Sequence, residues 1–171
     1  MPGLNWVKMF SHDTKGGFFP DIEQAKSYNK DDPNADLYSI LDQIEDYRKD
    51  GVFHIRLCYD ELAEDNFPCN EWTQSSNFVE DPNITDFNAI DITFKQRGDG
   101  GMFGGIGLNS PENSGSTLID DMPHSGNWWS AIGAISQHGT GLPGPHPTVV
   151  RKVELYLAIS NSHKFIKTKM K

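Results

Sequence analysis

Alternation of apolar and polar residues constrains the fold of this chain more than any other feature. It occurs in three stretches, at residues 52–59, 89–94 and 148–160. Because successive side chains of a β-strand point to opposite faces, a period of two indicates a strand with one buried face. The residues expected on the buried faces are Phe53, Ile55, Leu57 and Tyr59 in the first stretch, Ile90, Ile92 and Phe94 in the second, and Val149, Val153, Leu155, Leu157 and Ile159 in the third.

The composition indicates that these strands belong to an all-β fold. The 171 residues include 16 Gly and 10 Pro, which favour many turns, and shorter candidate strands lie at residues 104–109, 117–120 and 128–137. Roughly six to eight strands predict an antiparallel β-sandwich or jelly roll. We expect one domain over residues 1–163, followed by a basic, disordered tail at residues 164–171.

One or two short helices are expected near the N-terminus, the first over residues 21–28. The second would begin after Asp32, which is a suitable N-cap, and Pro33 suits its first turn. This helix would run to residue 49 and present one apolar face to the sheet. The members of that face are Leu37, Ile40, Leu41 and Ile44.

The charge of the chain limits its partners. A net charge of -9 without a basic stripe disfavours nucleic acid, and no apolar run reaches the length of a membrane span. The N-terminus lacks the pattern of a signal peptide. Calcium prefers carboxylate and carbonyl oxygens, so Asp120 and Asp121 form a candidate calcium site, although a metal-free turn explains them equally well. A second cluster of oxygen ligands lies at Asp31, Asp32, Asn34 and Asp36, but helix capping explains Asp32 and Asp36 without a metal and is the favoured interpretation.

The two cysteines bear on the compartment. Cys58 falls on a predicted strand and Cys69 follows the turn-like residues 65–68, so a disulfide between them is geometrically reasonable. Two free thiols are the alternative, and they would suit a cytosolic protein. Asn83 begins an Asn-Ile-Thr glycosylation sequon after a turn. A disulfide and a glycosylated turn would both indicate an extracellular protein.

A tryptophan within a polar run is the main candidate for a ligand site. Residues 69–77 surround Trp72 with amide, carboxylate and hydroxyl side chains. An indole ring can cover the apolar face of a sugar while such groups bind the sugar hydroxyls. The candidate ligand-binding residues are Asn70, Glu71, Trp72, Gln74 and Asn77, with Trp129 on a second side. Alternatively, Trp72 plugs the core and the polar groups satisfy loop backbone.

The sequence contains few other functional motifs. Arg97, Gly98 and Asp99 form the tripeptide that integrin-type receptors bind in adhesive proteins, although such a triplet also arises by chance. The sequence contains no nucleophile elbow, phosphate loop, dinucleotide fingerprint or zinc-protease motif. Binding is therefore favoured over catalysis.

Several segments together resemble a domain of secreted, often modular proteins of marine invertebrates such as corals and anemones. They are residues 32–41 (DPNADLYSIL), 53–59 (FHIRLCY), 69–77 (CNEWTQSSN), 117–121 (TLIDD), 127–133 (NWWSAIG), 143–145 (PGP) and 153–156 (VELY). Residues 150–156 are also similar to the last strand of discoidin-type, galactose-binding-like sandwiches. The resemblance implies a secreted matrix or adhesion setting, and it implies no particular chemistry.

These features predict an extracellular, lectin-like recognition module. It would bind carbohydrate or matrix through polar-aromatic loops, with calcium as a candidate cofactor. One alternative is a structural or adhesive matrix protein with an acidic cation-binding surface. The other is an enzyme without a recognisable motif.

Overall fold

The structure, a computed structural model, describes residues 4–59, 68–96, 101–108, 132–136, 141–145 and 148–159. Its strands are β1 (Asn5–Asp13), β2 (Leu37–Ser39), β3 (Phe53–Tyr59), β4 (Cys69–Gln74), β5 (Asn88–Ile92), β6 (Leu142–Pro143), β7 (Val149–Val150) and β8 (Lys152–Ile159). Six of them form an antiparallel sheet in the order β2-β1-β8-β3-β4-β5, and β6 pairs with β7. This confirms the predicted all-β antiparallel fold.

The central strand β3 shows the predicted alternation directly. Phe53, Ile55 and Leu57 are fully buried on one face of the sheet, which we call the inner face. His54 and Arg56 are partly exposed on the opposite, outer face. Because β3 lies between β8 and β4, its inner residues are covered on both sides and form the middle of the core.

Segments between the strands cover the inner face of the sheet and complete the core. Their large buried side chains pack in one cluster with those of the sheet. The main contributors are Phe19, Leu41, Ile44, Phe78, Ile106 and Leu142. In the part of the chain that the structure describes, this covering layer consists mostly of loops and short elements, together with the β6–β7 pair.

The helical segments in the described part of the chain are short. Helix α1 (Ile22–Ala25) follows Asp21, whose Oδ1 accepts a 2.7 Å hydrogen bond from the backbone N–H of Gln24. This cap confirms the start of the helix predicted over residues 21–28. The helix ends earlier than predicted, at Ala25, and Tyr28 forms a β-bridge with Ser39. Two 3₁₀ segments, Thr14–Gly16 and Leu41–Tyr47, complete the helical content. None of these helices is long and apolar enough to cross a membrane.

The predicted helix from Asp32 to residue 49 is wrong. Residues Leu37–Ser39 form β2, which pairs with β1, and only Leu41–Tyr47 is helical, as a 3₁₀ helix. The backbone N–H of Ile40 donates a hydrogen bond to the carbonyl of Met9 in β1. The backbone of this segment therefore bonds to the sheet and not within a helix. The apolar residues at 37, 40, 41 and 44 are buried in the observed fold and would also be buried in the predicted helix. Periodicity alone therefore did not distinguish the two arrangements.

Two other predictions about strands need correction. Ile90 is predicted inside but is 49% exposed, because β5 lies at the edge of the sheet that the described strands form. Val149 is 53% exposed whereas Val150 is buried, because the run breaks at Arg151 between β7 and β8. The candidate strand 104–109 is not formed over residues 104–108, and residue 109 lies outside the described residues. The candidate strand 117–120, most of 128–137 and the tail 164–171 lie outside the described residues.

Candidate functional site

The polar run at residues 69–77 begins with a strand of the sheet rather than a loop. Trp72 lies on the inner face of β4 with 0% of its surface exposed. Its ring meets the ring of Phe103 edge to face, with 4.9 Å between centroids. A sugar platform requires an exposed ring face, so the predicted ligand contact at Trp72 is wrong. Trp72 is a core residue.

Gln74 and Asn70 are buried on the same face of β4, which contradicts their predicted role as ligand contacts. The Gln74 Oε1 atom accepts hydrogen bonds from Trp72 Nε1 (2.9 Å) and from the backbone N–H of Ile106 (3.2 Å). The Asn70 side chain exchanges two hydrogen bonds with the backbone of Phe94, at 2.8 and 3.0 Å. Both amides are occupied in joining distant backbone to the sheet.

The other predicted residues have separate locations. Asn77, in the segment after β4, donates to Glu45 Oε1 of the 3₁₀ helix Leu41–Tyr47 at 2.7 Å. Asn83 is exposed in a turn, where its glycosylation stays a prediction. Several predictions lie outside the described residues, namely the calcium site at Asp120 and Asp121, the aromatic contact at Trp129 and the adhesion turn at 97–99.

The predicted disulfide is present between Cys58 and Cys69, which are direct cross-strand partners in β3 and β4. Counting from this pair in antiparallel register places Arg56 opposite Glu71 and His54 opposite Thr73. All of these side chains belong to the outer face. The bridge therefore fixes which polar residues of the two strands become neighbours.

Glu71 is a predicted site residue that lies in a polar cluster on the outer face. Its carboxylate contacts His54 Nε2 at 2.7 Å and Arg56 Nη2 at 2.8 Å. The guanidinium of Arg56 stacks over the Trp6 ring, 4.0 Å from its centroid, and His54 meets the edge of that ring. Hydrogen bonds and stacking thus hold the aromatic and ionic groups in one arrangement.

A second cluster on the outer face centres on Glu154. Lys8 and Lys152 contact its carboxylate at 2.9 and 3.0 Å, and the Tyr156 hydroxyl donates to it. Burial alone would raise the pKa of Glu154, but the hydrogen bonds from Tyr156 and the two lysines outweigh it and lower the pKa. Burial and the adjacent carboxylate raise the pKa of Tyr156. Glu154 therefore stays ionised and Tyr156 stays protonated near neutral pH.

An open groove of about 170 Å³ adjoins the His54–Glu71 cluster. Its wall combines apolar surface, one aromatic ring, and four polar or ionic side chains. The apolar part comprises Leu4, Tyr47, Val52, Ala158 and Ile159, and the polar part comprises Lys49, Asp50, His54 and Thr73. Such a mixed wall can hold the apolar face of a small polar ligand and bind its hydroxyl groups.

Sequence reasoning missed His54, Arg56 and Trp6 as site residues. The sequence did contain a signal for His54 and Arg56, because they occupy polar positions of the alternating stretch 52–59 and so belong to the solvent-facing side of the strand. Trp6 gave no comparable signal, because its position beside Arg56 depends on how β1 and β3 flank β8.

The described residues contain no group of three or more His, Cys, Asp or Glu side chains arranged to hold a metal ion. Comparisons with protein families, with curated proteins and with solved structures found no match to this chain.

Proposed function

We propose that this chain is an extracellular recognition module that binds carbohydrate in the groove beside His54. The groove is the observation that carries the proposal, because it places an aromatic ring and aliphatic surface next to four polar side chains. Pyranose rings have apolar C–H faces and a rim of hydroxyl groups, so they fit a wall of this kind. Tyr47 would take the apolar face, and His54 and Thr73 would bind hydroxyls.

The extracellular part of the proposal is supported by the Cys58–Cys69 disulfide. Disulfides persist in oxidising compartments and are rare in reducing ones. The resemblance to secreted invertebrate domains agrees with this location. Calcium is tested alongside, since Asp120 and Asp121 stay candidates for it.

A glycan array tests the proposal, probed with and without calcium. The blocking variant is Thr73→Trp, which fills the groove from the outer face without removing a core side chain. The matched control is Thr93→Trp, at an exposed threonine that does not line the groove. We expect the wild type and the control to bind the same saccharides and the blocking variant to lose them.

Two results would contradict the proposal. One is a wild-type protein that binds no saccharide in either buffer. The other is saccharide binding that Thr73→Trp leaves unchanged while its melting temperature matches that of the control, because the ligand would then occupy another surface.

A further inference from the structure

His54 belongs both to the groove and to the ionic cluster around Glu71. Its Nε2 atom lies 2.7 Å from Glu71 Oε1, and its ring packs edge to face with the Trp6 ring, with 5.0 Å between centroids. The His54 side chain is 22% exposed. None of the described residues forms a hydrogen bond with its other ring nitrogen, Nδ1. This nitrogen is therefore available to a ligand in the groove.

Arg56 decides how Glu71 uses its two carboxylate oxygens. The Nη2 and Nε atoms of Arg56 lie 2.8 and 3.3 Å from Glu71 Oε2. The guanidinium also stacks over the Trp6 ring, 4.0 Å from its centroid, and this contact holds it beside the carboxylate. Oε2 thus accepts hydrogen bonds from Arg56, and Oε1 is left as the acceptor for His54.

The partner of Nε2 determines which ring nitrogen of His54 carries the proton. A neutral imidazole has one N–H donor and one acceptor nitrogen. Because a carboxylate only accepts hydrogen bonds, Nε2 must carry the hydrogen that faces Glu71. In the neutral ring, Nδ1 then keeps a free lone pair and acts as an acceptor.

We propose that Glu71 is a positioning residue, which holds His54 as the Nε2–H tautomer so that Nδ1 accepts a hydrogen bond from a hydroxyl group of the bound sugar. This inference rests on the proposed function and names a contact that selects its ligand. A group with a hydrogen to donate fits this position, whereas an ether or carboxylate oxygen does not. The groove therefore favours sugars with free hydroxyl groups over O-methylated ones.

The variant Glu71→Gln tests the positioning because it reverses the hydrogen bond at His54. The guanidinium of Arg56 has donors only, so it takes the oxygen of the new amide. The amide NH₂ group then faces His54 Nε2, which must accept, and the proton moves to Nδ1. The control is Asp91→Asn, which removes a charge of the same sign from the exposed residue opposite Glu71 in the β4–β5 pairing.

Nitrogen NMR of the imidazole rings identifies the tautomer, at about pH 8.5, at which imidazole is neutral. The signals of His54 are those that are missing from His54→Phe. We expect the Nε2–H form in the wild type and in Asp91→Asn, and the Nδ1–H form in Glu71→Gln.

The methyl glycosides of glucose, galactose and mannose are then added, followed by any saccharide that the array identifies, each with its fully O-methylated form as the comparison. A saccharide with free hydroxyl groups should shift the Nδ1 signal of wild-type His54. Its O-methylated form should bind at least about tenfold more weakly to the wild type. Glu71→Gln should reduce this difference, because its Nδ1–H group can donate to an ether oxygen.

The outcomes separate this inference from the proposed function. The Nδ1–H form in the wild type, or one tautomer shared by the wild type and Glu71→Gln, overturns the inference whatever the saccharides do. A saccharide that Thr73→Trp blocks but that leaves the Nδ1 signal unmoved overturns the inference and leaves the proposed function standing. The expected tautomers without any saccharide binding overturn the proposed function and, with it, the sugar contact. If Glu71→Gln fails to fold, the wild-type tautomer and the Nδ1 shift still decide the question.

Discussion

The indole Nε1–H of Trp72 donates a 2.9 Å hydrogen bond to the side-chain oxygen of Gln74, and both side chains are completely buried. The two residues lie on the inner face of β4, so an aromatic ring and an amide that looked like ligand contacts satisfy each other inside the core. The amide nitrogen of Gln74 also donates to the carbonyl of Ile106 at 2.9 Å. Gln74 therefore joins the covering layer to the sheet.

Replacing Gln74 by Ala should strongly destabilise the protein. The change leaves the Trp72 N–H and both backbone groups of Ile106 without their partner, and it opens a cavity. We expect the free energy of unfolding to fall by about 3 kcal/mol, measured by urea denaturation. The control is Gln96→Ala, at an exposed glutamine, which should change it by less than about 0.5 kcal/mol. Equal effects of the two variants would contradict the structural role of Gln74.

Gly105 should tolerate no side chain, because a Cβ atom there would lie 2.7 Å from Gln74 Oε1 and 3.0 Å from Ile84. Its φ of 95° also lies in the left-handed region. Gly51 has a similar φ of 85°, but a Cβ atom there meets nothing within 4 Å. Thermal unfolding should show a loss of about 1 kcal/mol for Gly51→Ala and a clearly larger loss for Gly105→Ala. Losses of the same size would show that crowding at Gly105 is absent.

Acid should destabilise the protein through His12. Its Nε2 lies 2.9 Å from the carbonyl of Gly17, and Phe18 and Phe19 pack against the ring. Its Nδ1 is buried and has no hydrogen-bond partner among the described residues. Burial lowers the pKa of His12 from 6.5 to about 4, although the Gly17 carbonyl and the Asp13 carboxylate act in the opposite direction. Between these pH values the unfolded chain binds a proton that the folded chain does not. Stability therefore falls as the pH falls from about 6.5 to about 4, by about 3 kcal/mol in full.

Denaturant unfolding across this pH range measures the effect as a difference between the wild type and His12→Phe. The carboxylates titrate in both proteins, so their contribution largely cancels in the comparison. We expect the variant to lose less stability than the wild type between pH 6.5 and 4. Parallel pH profiles would rule out His12 as the source.

Reduction should weaken the β3–β4 pair through the Cys58–Cys69 disulfide. The bridge spans a sequence separation of 11 residues, and a loop of that size restricts the unfolded chain by about 2–3 kcal/mol in the chain-entropy model. A reducing agent should lower the melting temperature of the wild type. It should leave a Cys58→Ala/Cys69→Ala double variant unchanged, and a response of that variant would point to a different cause.

The outer face shows which part of the candidate site could be predicted from the sequence. The disulfide partners and the alternating pattern together imply that Arg56 faces Glu71 and that His54 faces Thr73, because antiparallel register follows from one known pair. The groove was not predictable in this way. Leu4, Tyr47 and Ile159 come from three separate segments, and their meeting at His54 depends on the packing of the whole sheet.

The sequence by itself determined the β class of the fold and the two faces of β3, because a period of two is a local property of a strand. It also predicted the disulfide, which joins two strands that follow each other in the chain. Only the tertiary structure decided the environment of Trp72 and the conformation of Leu37–Ser39. Both depend on distant segments, Phe103 and Ile106 in the first case and Met9 in the second, and local patterns do not report which distant residues cover them.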